Sequence, residues 1–484
     1  MFKSHFKYNY LYKQISYISN MASKRNLSLE TKQQDKREDA IIKCKRKEYN
    51  YYKGQNYGKL DDINLASKGW THNKSKGDYF TIHPQSTGPE LKQFSLEHFN
   101  FNDNITKCLR DDGIEMLTSF QNEAITTISK GRHSILAAET GCGKTLAYLL
   151  PILNKIVDCK LPGVNTPKAL ILVPGRELAY QIGSVAQQFA NEMNLKIKII
   201  VGGRTKKIML NPEFSHVDLL IGTPGAIGKL CTVGVYKLNH VSHAVFDEAD
   251  TLLDDSFIER LTGIIKRLST SQLVLVSATM PTNIPPILEP YSSSFVNVVS
   301  PLLHTTLRHI TQVFLRVGRS IKPQQLLQIV KKNQDQLLIF TNRNETCNWV
   351  SYFLNENGIS SSRVNGDMNQ GERIIQWNEF RSQKNRILVA TDVCSRGIHI
   401  GNMRHIINYD FPLYVADYLH RIGRTGRFGE KSCKVTNFVA GEREVKIVQK
   451  IELAIRRNEP IQNVDGNITR ILQRKLLRSG ETLM

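Results

Sequence analysis

A glycine-containing loop that ends in lysine and threonine is the first feature of the chain that could do chemistry. It spans Ala138–Thr145 and lies between the apolar run Ser134–Ala137 and a helical pattern. Glycines let backbone N–H groups approach phosphate oxygens closely, and the N-terminus of the following helix adds partial positive charge. Lys144 can then reach the β- and γ-phosphates of a nucleotide, and the Thr145 hydroxyl can coordinate Mg²⁺. The pattern predicts a phosphate-binding loop, although Ala138 stands where such loops usually have their first glycine; the alternative is a glycine-rich turn without a ligand.

A group of acidic residues follows another apolar run. Asp247, Glu248 and Asp250 come directly after Ala244–Phe246. A carboxylate at a strand end beside a phosphate loop can hold Mg²⁺ through its water shell, which is the role we expect for Asp247. Glu248 can orient and deprotonate a water molecule aimed at the γ-phosphate. Such a group alone would often be a solvated turn, but its position after a buried strand and downstream of Lys144 favours the functional interpretation.

Two series of short apolar runs, separated by helical patterns, must position these groups. Runs of this kind are typical of buried parallel strands. The first series comprises Ser134–Ala137, Ala169–Pro174, Lys196–Val201, Asp218–Ile221, Ala244–Phe246 and Leu273–Val276. The second comprises Val313–Val317, Leu337–Phe340, Ile387–Ala390, His405–Asn408 and Val435–Val439. Between them, residues 297–309 lack periodicity and contain Pro301, so we predict an α/β fold of two tandem parallel-sheet domains joined there.

The chain is strongly basic. Of its 484 residues, 65 are Lys or Arg and 44 are Asp or Glu, which gives a net charge of +21. This excess favours a polyanionic partner, either a nucleic acid or an anionic membrane face, over a merely soluble basic protein. Hydrophobic residues make up 40% of the chain, which excludes a mostly disordered protein. No uncharged apolar run approaches the roughly 18–20 residues that span a bilayer, so we expect no membrane span.

The eight cysteines indicate neither a zinc site nor a disulfide framework. They are scattered along the chain, and no two of them form a C-x-x-C pair. We therefore expect a reducing compartment.

Both ends of the chain are basic. We predict that residues 1–90 form an N-terminal extension outside the folded core, disordered over much of its length, and that residues 441–484 form a basic, helical C-terminal tail. The first 29 residues contain five Lys or Arg and no acid, the pattern of a mitochondrial transit peptide, although Lys predominates where Arg is usual. An ordinary basic tail is the alternative. A cluster at Lys43, Lys45, Arg46 and Lys47 could contact phosphates or act as a nuclear address.

Taken together, the motifs resemble those of the DEAD-box RNA helicase family. The matching runs occur in the family's order between about residues 94 and 440. They are Ala138–Thr145, Pro174–Ala179, Thr223–Gly225, Asp247–Asp250, Ser277–Thr279, Gln370–Arg373, Thr391–Asp392 with Ser395–Gly397, and His420–Arg427. The resemblance implies two RecA-like domains, predicted at residues 91–298 and 308–440, ATP hydrolysis with Mg²⁺, and binding of the RNA sugar–phosphate backbone.

The resemblance also assigns roles around ATP. Gln121 would recognise adenine, because a carboxamide offers a donor and an acceptor that fit N6 and N7. Arg424 and Arg427, three residues apart on an expected helix, would be arginine fingers brought from the second domain, and His420 would link the γ-phosphate to Ser277–Thr279. The loop residues expected to contact nucleotide are Ala138, Glu139, Thr140, Gly141, Cys142, Gly143, Lys144 and Thr145. The aromatic ring that stacks on adenine stays open between Phe94, Phe99 and Phe101.

The expected RNA contacts come from both domains. They are Pro174, Arg176, Gly203 and Thr223 in the first domain, and Thr341, Gln370, Arg373 and Thr391 in the second. Backbone amides, hydroxyls and a few arginines grip phosphates without reading bases, so we expect low sequence preference and discrimination against DNA through 2′-hydroxyls.

Three residues depart from the family's usual pattern. Gly175 replaces a Thr near the RNA path, Ala226 replaces an Arg, and His399 stands where a nucleotide-binding Asp is usual. These changes bear on unwinding efficiency and ATP affinity, so an ATP-gated RNA clamp or assembly scaffold with little unwinding is the alternative to a helicase. A DNA helicase is disfavoured by the motif spellings. A P-loop GTPase is disfavoured by Gln121 and by the absence of an Asn-Lys-x-Asp run.

The residues of two motifs indicate a particular branch of the family. Thr223–Ala226 and Asp247–Asp254 are similar to the mitochondrial branch of the family that acts in large-ribosomal-subunit assembly. This implies a mitochondrial monomer that acts on RNA, with ribosomal RNA and ribosomal proteins as partners. The nucleus, nucleolus or cytoplasm remain the alternative locations.

Overall fold

The computed structural model of the chain describes most of both predicted domains. It covers residues 41–52, 55, 57–58, 61–84, 92–159, 163–203, 205–253, 255–268, 271–280, 285–307, 310–392, 403–426, 433–462 and 464. The predicted transit peptide, His399, Arg427 and most of the predicted C-terminal tail lie outside these residues.

The elements alternate as the apolar runs predict. Numbered along the chain, the strands are β1 (Ile41–Cys44), β2 (Tyr79–His83), β3 (Gln93–Ser95), β4 (Met116–Thr118), β5 (Ser134–Ala137), β6 (Ala169–Leu172), β7 (Ile197–Ile200), β8 (Leu219–Gly222), β9 (His243–Asp247), β10 (Gln272–Ser277), β11 (Val296–Val299), β12 (Thr311–Arg316), β13 (Leu337–Thr341), β14 (Ser361–Val364), β15 (Ile387–Thr391), β16 (His405–Asn408) and β17 (Lys434–Val439). The helices are α1 (Asp103–Asp111), α2 (Ser119–Ser129), α3 (Lys144–Ile156), α4 (Arg176–Met193), α5 (Thr205–Leu210), α6 (Pro224–Thr232), α7 (Ala249–Leu252), α8 (Asp255–Ile265), α9 (Lys322–Lys332), α10 (Asn344–Glu356), α11 (Gln370–Arg381), α12 (Val415–Ile422) and α13 (Glu442–Arg456). Short 3₁₀ turns lie at Lys47–Tyr49, Lys68–Thr71, Asn73–Ser75, Leu96–His98, Pro286–Tyr291 and Arg319–Ile321.

Two sheets form the centres of two domains. The first has the strand order β11-β5-β10-β9-β6-β8-β7, and all of its pairings are parallel. The second has the order β1-β2-β12-β17-β16-β13-β15-β14. It is parallel from β12 to β14, whereas β1 and β2 pair antiparallel at its other end. The predicted fold class, two tandem parallel-sheet domains, is confirmed.

Buried strands explain why the motif residues converge. Strands β5, β6, β8, β9 and β10 are buried along their whole length, with apolar clusters on both faces of the sheet. Because parallel strands all end at the same edge, the loops that follow them gather there. In the first sheet these loops carry the phosphate loop, Pro174, Thr223, Asp247 and Ser277.

The N-terminal prediction is wrong for residues 41–83. Strand β2 pairs with β12, so this segment extends the second sheet instead of lying outside the folded core. Trp70 and Phe80 are fully buried, and the Phe80 ring stacks on Phe314 with centroids 4.7 Å apart. The apolar residues are isolated among lysines, so no continuous run indicates a strand. The alternation in β2, where Phe80 and Ile82 are buried, was the available signal.

The C-terminal prediction is wrong for the first part of the predicted tail. Residues 442–456 form α13, and Val445, Val448 and Ile451 pack into the core of the second domain. The beginning of the predicted joint is also corrected, since Val296–Val299 is the edge strand β11 of the first sheet. None of the described helices is long and apolar enough to cross a membrane.

Candidate functional site

The phosphate loop is closed around its own lysine. Gly141 and Gly143 have φ values of 91° and 82°, a conformation that favours glycine. Helix α3 begins at Lys144, whose ammonium donates to the carbonyl oxygens of Ala138 at 2.7 Å and Glu139 at 2.8 Å. The lysine is therefore held at the mouth of the loop, with two carbonyl oxygens where a phosphate could provide acceptors.

Cys142, Thr145 and Glu139 also belong to the loop, and each side chain has a different environment. Burial raises the pKa of the Cys142 thiol to about 11, so it is a neutral thiol and not a nucleophile. Thr145 lies in the first turn of α3, and its side chain is next to the Tyr148 hydroxyl. One carboxylate oxygen of Glu139 is buried without a hydrogen-bond partner among the described residues.

Gln121 lies beside the phosphate loop. Its Oε1 accepts from the backbone N–H of Thr118 at 2.9 Å, and its Nε2 donates to the Gly143 carbonyl at 3.3 Å. A side chain on Gly143 would overlap the Gln121 amide, so the glycine is needed for this contact. Since a carboxamide has two donor hydrogens and two acceptor lone pairs, one of each remains for a ligand.

The three candidate aromatic rings differ in their surroundings. Phe99 and Phe101 stack on each other with centroids 5.2 Å apart, and both pack against the core of the first domain. Phe94 lies in β3 opposite Leu117, the residue before the Thr118 cap of α2. Of the three, Phe94 is placed next to the segment that carries Gln121.

Asp247 is a buried carboxylate at the end of β9. Its oxygens accept from the Tyr148 hydroxyl at 2.9 Å and from the backbone N–H of Glu248 at 2.8 Å. Burial, together with the nearby charge of Glu248, raises the pKa of Asp247 to about 6. The Tyr148 hydroxyl therefore lies next to both Asp247 and Thr145, the two residues expected to hold Mg²⁺.

Glu248 has an unusual backbone conformation. Its φ is 53°, in the left-handed region, where a residue other than glycine costs roughly 1–2 kcal/mol. Glu248 is the cap residue at the start of α7, and its Oε2 is buried without a hydrogen-bond partner in the described part of the chain. A carboxylate oxygen of this kind can accept a proton from a bound water.

A polar chain links the two domains. Asp250 accepts from the Thr279 hydroxyl at 2.8 Å, and the Thr279 N–H donates to the Ser277 hydroxyl at 3.1 Å. From the second domain, His420 Nε2 lies 3.4 Å from Asp250 Oδ2. The predicted link between His420 and Ser277–Thr279 therefore runs through Asp250, an intermediary that the sequence did not reveal.

The second domain also contacts the phosphate loop directly. Gly423, just after α12, is so close to Thr140 that any side chain at position 423 would overlap the threonine. Arg424 follows and is buried. Because α12 ends at Ile422, the prediction that a helix presents Arg424 is wrong; the arginine lies in the turn beyond it.

Arg421 is a residue that sequence reasoning missed. It is fully buried, and its guanidinium donates to both carboxylate oxygens of Asp392 at 2.6 Å and to Asn342 at 2.6 Å. It therefore ties α12 to the loops that follow β13 and β15. The available signal was an arginine within the His420–Arg427 motif together with an acid in Thr391–Asp392.

The four RNA-contacting residues predicted for the first domain lie together. Pro174, Arg176, Gly203 and Thr223 all line one surface pocket. A Cβ on Gly202 would lie 3.2 Å from an Arg176 nitrogen, so the guanidinium passes close over this backbone.

The residues predicted for the second domain lie at the ends of neighbouring elements. Thr341 and Thr391 end β13 and β15 and are paired in register, and the Thr391 hydroxyl is buried without a described partner. Arg373 donates to the Gly366 carbonyl at 2.8 Å and lies 4.0 Å from Glu177 of the first domain. Gln370 begins α11, but its side chain lies outside the described residues.

Sequence comparisons agree with this arrangement. Residues 118–286 match the family described as DEAD/DEAH box helicase, and residues 321–429 match the one described as Helicase conserved C-terminal domain. Over 467 residues the chain is 33% identical to the probable ATP-dependent RNA helicase DDX28 of Mus musculus, covering 88% of this chain and 86% of the relative. It is 32% identical over 362 residues to the ATP-dependent RNA helicase eIF4A of Meyerozyma guilliermondii, covering 74% and 90%.

A comparison with solved structures gives the same fold. The structure of S. cerevisiae Dbp5 bound to RNA and ADP BeF3 matches with a TM-score of 0.66 at 24% identity, covering 79% of this chain and 99% of that one. At this identity the match concerns the arrangement of the two domains' elements and not the chemistry of individual residues.

Proposed function

Because the chain belongs to the DEAD-box family of ATP-dependent RNA helicases, we propose that the residues described above couple ATP hydrolysis to a grip on the RNA backbone. The observation that carries this proposal is the convergence of the phosphate loop, the acidic group and the His420–Gly423 segment of the second domain. ATP bound to the first domain would therefore be completed by groups from the second.

ATP would take the place of the loop's own contacts. The β- and γ-phosphates replace the carbonyl oxygens of Ala138 and Glu139 around Lys144, and the spare donor and acceptor of Gln121 face adenine. Phe94 is our choice for the adenine-stacking ring, because Phe99 and Phe101 already stack on each other.

The residues present fit a magnesium ion that arrives with ATP. Thr145 and the buried Asp247 would hold it, and both contact Tyr148. The described residues contain no cluster of three or more His, Cys, Asp or Glu that could hold a metal ion by themselves, so the phosphates would supply further ligands. When bound, the ion would neutralise charge on the phosphates.

Glu248 is the proposed general base. Its unpartnered oxygen orients the attacking water and accepts its proton, while Arg424 and Arg427 stabilise the charge that develops on the transferring phosphoryl group. Lys144 stabilises the same charge from the loop. His420 and Gly423 contribute by holding the second domain against Asp250 and Thr140.

RNA would lie along the strand ends of both domains. The pocket at Pro174, Arg176, Gly203 and Thr223 takes one stretch of backbone, and Thr341, Gln370, Arg373 and Thr391 take the next. The guanidinium, hydroxyl and amide groups of these residues donate to phosphates and hydroxyls, whereas Pro174 offers only its carbonyl oxygen. None of them reads a base edge, so binding is insensitive to sequence. Closure of the two domains grips one strand, and a short duplex is opened locally.

The biological setting that we propose is mitochondrial ribosome assembly, with the chain acting as a monomer on ribosomal RNA and ribosomal proteins. The acid-free, basic stretch of residues 1–29 supports a mitochondrial address. A fluorescent fusion of the full chain should colocalise with mitochondria, and deletion of residues 2–29 should disperse it. Crosslinking followed by sequencing of the bound RNA would identify the target.

The catalytic proposal is tested by Glu248→Gln. Loss of the base should lower RNA-stimulated ATP turnover about 10²- to 10⁴-fold, measured as phosphate release. Glu356→Gln, an exposed residue at the end of α10, removes the same charge and should leave turnover unchanged. If Glu248→Gln retained full turnover, the assignment would be wrong. Strand displacement by the wild type separates a helicase from the clamp alternative, which would hydrolyse ATP without displacing a strand.

A further inference from the structure

The pocket beside Arg176 is more cationic than the predicted RNA residues account for. Three of its lining residues are cations, Arg176, Lys229 and Arg260, and none is acidic. Lys229 and Arg260 were not among the residues expected to contact RNA.

Arg260 reaches this pocket from a different element. It lies on α8, and its guanidinium passes over the start of α6, where a Cβ on Gly225 would lie 3.5 Å from Nη1. The neighbouring Ala226 is buried and offers no polar group to the pocket. The cation at this point therefore comes from α8, through space that Gly225 leaves open.

Two charges in the pocket, those of Arg260 and Lys229, lack local compensation among the described residues. Arg260 and Lys229 are both exposed, and neither forms an ion pair with a carboxylate in the described part of the chain. Like charges that share a pocket repel each other, and an anion relieves that repulsion. The guanidinium fork and the ammonium both suit phosphate oxygens, and the Phe257 ring supplies an apolar wall next to them.

We propose that Arg260, assisted by Lys229, binds a backbone phosphate of single-stranded RNA next to the one that Arg176 contacts. The inference rests on the proposed RNA-binding function and adds two binding residues to it. Arg260 supplies from α8 the positive charge that Ala226 cannot provide. The ligand is the phosphodiester chain and not a base, so the contribution is equal for all RNA sequences.

The salt dependence of RNA binding tests this proposal. We would measure the affinity of a labelled oligouridine by fluorescence anisotropy over a range of salt concentrations, with a non-hydrolysable ATP analogue present. Arg260→Gln should weaken binding about tenfold at low salt and reduce the slope of log K against log salt by about 0.7, the value for one phosphate contact on a single strand. Lys229→Gln should act in the same direction with a smaller loss of affinity.

Two further variants control for charge and for folding. Arg260→Lys keeps the charge and should retain most of the slope. Arg267→Gln removes an exposed arginine from the turn after α8, outside the pocket, and should bind as the wild type does. All variants should give the wild-type melting curve, because none of the altered side chains is buried.

The outcomes separate this inference from the function on which it rests. If the wild type binds RNA in the presence of the analogue and both Arg260→Gln and Lys229→Gln bind with unchanged affinity and slope, the inference is wrong and the proposed function stands. If the wild type itself does not bind RNA, both fail. If Arg267→Gln loses as much as Arg260→Gln, the effect is one of overall charge and the pocket is not a specific phosphate site.

Discussion

The second domain is joined to two other parts of the chain, residues 41–83 and the first domain, and the two junctions differ in kind. The N-terminal segment is attached through buried apolar rings and through hydrogen bonds to a buried ion pair that lies within α13. The first domain contacts the second domain through His420, through Arg373 and through the close approach of Gly423 to Thr140.

The attachment of the N-terminal segment is built as a protein core. Glu452 on α13 is fully buried and accepts from the Ala66 N–H at 2.8 Å and the Ser67 hydroxyl at 2.6 Å. Arg456, one turn later, pairs with Glu452 at 2.8 Å and donates to the Tyr49 carbonyl at 2.7 Å. The N-terminal segment supplies further hydrogen-bond partners to both members of this pair. Removing either charge would leave the other one buried and uncompensated, at a cost of about 3–5 kcal/mol, so the junction is part of the folded core.

The contacts between the domains are weaker and can be broken. The His420–Asp250 pair is 3.4 Å long and the Arg373–Glu177 pair 4.0 Å, and the second of these is partly exposed. The partly exposed Arg373–Glu177 pair contributes about 0–1 kcal/mol. The His420–Asp250 contact is buried but is longer than the 2.8 Å Arg456–Glu452 pair. The contacts that stabilise the fold are therefore separate from the contacts between the two domains. An ATP-driven cycle requires this separation, because the interface between the domains has to open.

Truncation of the core ring should have the largest effect on stability. Trp70→Ala should lower the free energy of unfolding of the second domain by about 3–5 kcal/mol, because the ring is buried between Phe80 and the rest of the core. Denaturant unfolding monitored by circular dichroism gives this value. Tyr79→Ala, on the exposed side of β2, is the control and should change stability by less than about 1 kcal/mol. Equal effects of the two variants would mean that the segment is not part of the core.

A methyl group added at the interface between the two domains should lower activity without lowering stability. Gly423→Ala places a methyl group against Thr140, and overpacking of this kind costs about 1–3 kcal/mol. We therefore expect the variant to hinder closure of the two domains and to lower RNA-stimulated turnover about tenfold. The melting temperature should not change. Gly318→Ala in the second domain meets atoms no closer than 3.7 Å and should leave turnover unaffected. A drop in melting temperature without loss of turnover would contradict the distinction between the two junctions.

The smallest effect, taken over a single pH unit, concerns the stability of the core of the second domain. Burial, aided by Lys434, lowers the pKa of His405 to about 3, and its ring nitrogens bond to Asn333 and Thr436. Since the unfolded pKa is about 6.5, the stabilising contribution is complete above pH 6.5 and is lost as the pH falls from 6.5 towards 3. The free energy of unfolding should fall by at most about 1.4 kcal/mol per pH unit in that window. His405→Gln, which cannot titrate, should have a flatter dependence; an identical slope would exclude His405 as its source.

Most of the strands that the sequence predicted share one property. Runs such as Leu337–Phe340 and Leu273–Val276 are continuous because both faces of a central parallel strand are buried. Strands β1 and β2 were missed because antiparallel strands at the end of the sheet alternate, as with Phe80 between exposed Tyr79 and half-buried Thr81. Their burial also depends on partners in α13, more than 350 positions away, such as the contact of Ser67 with Glu452.

The sequence predicted the position of those site residues that lie close together along the chain. Asp247 and Glu248 were expected at the end of a strand, and Lys144 at the end of a loop before a helix, and the structure has them there. These positions were predictable because a motif and its preceding strand are contiguous. The closeness of Gly423 to Thr140 depends on how two domains meet, and the burial of Arg421 depends on loops of different strands. No spacing rule in a single sequence contains that information.

The short strand β1 also determines what the second sheet presents to other molecules. Without residues 41–83, the backbone donors and acceptors of β12 would form an open, six-residue ribbon edge suited to pairing with another copy. With the segment in place, the sheet ends instead on four residues that carry the exposed Lys43. A charged, short edge resists the strand-by-strand growth that leads to aggregates, so the segment protects solubility as well as the fold.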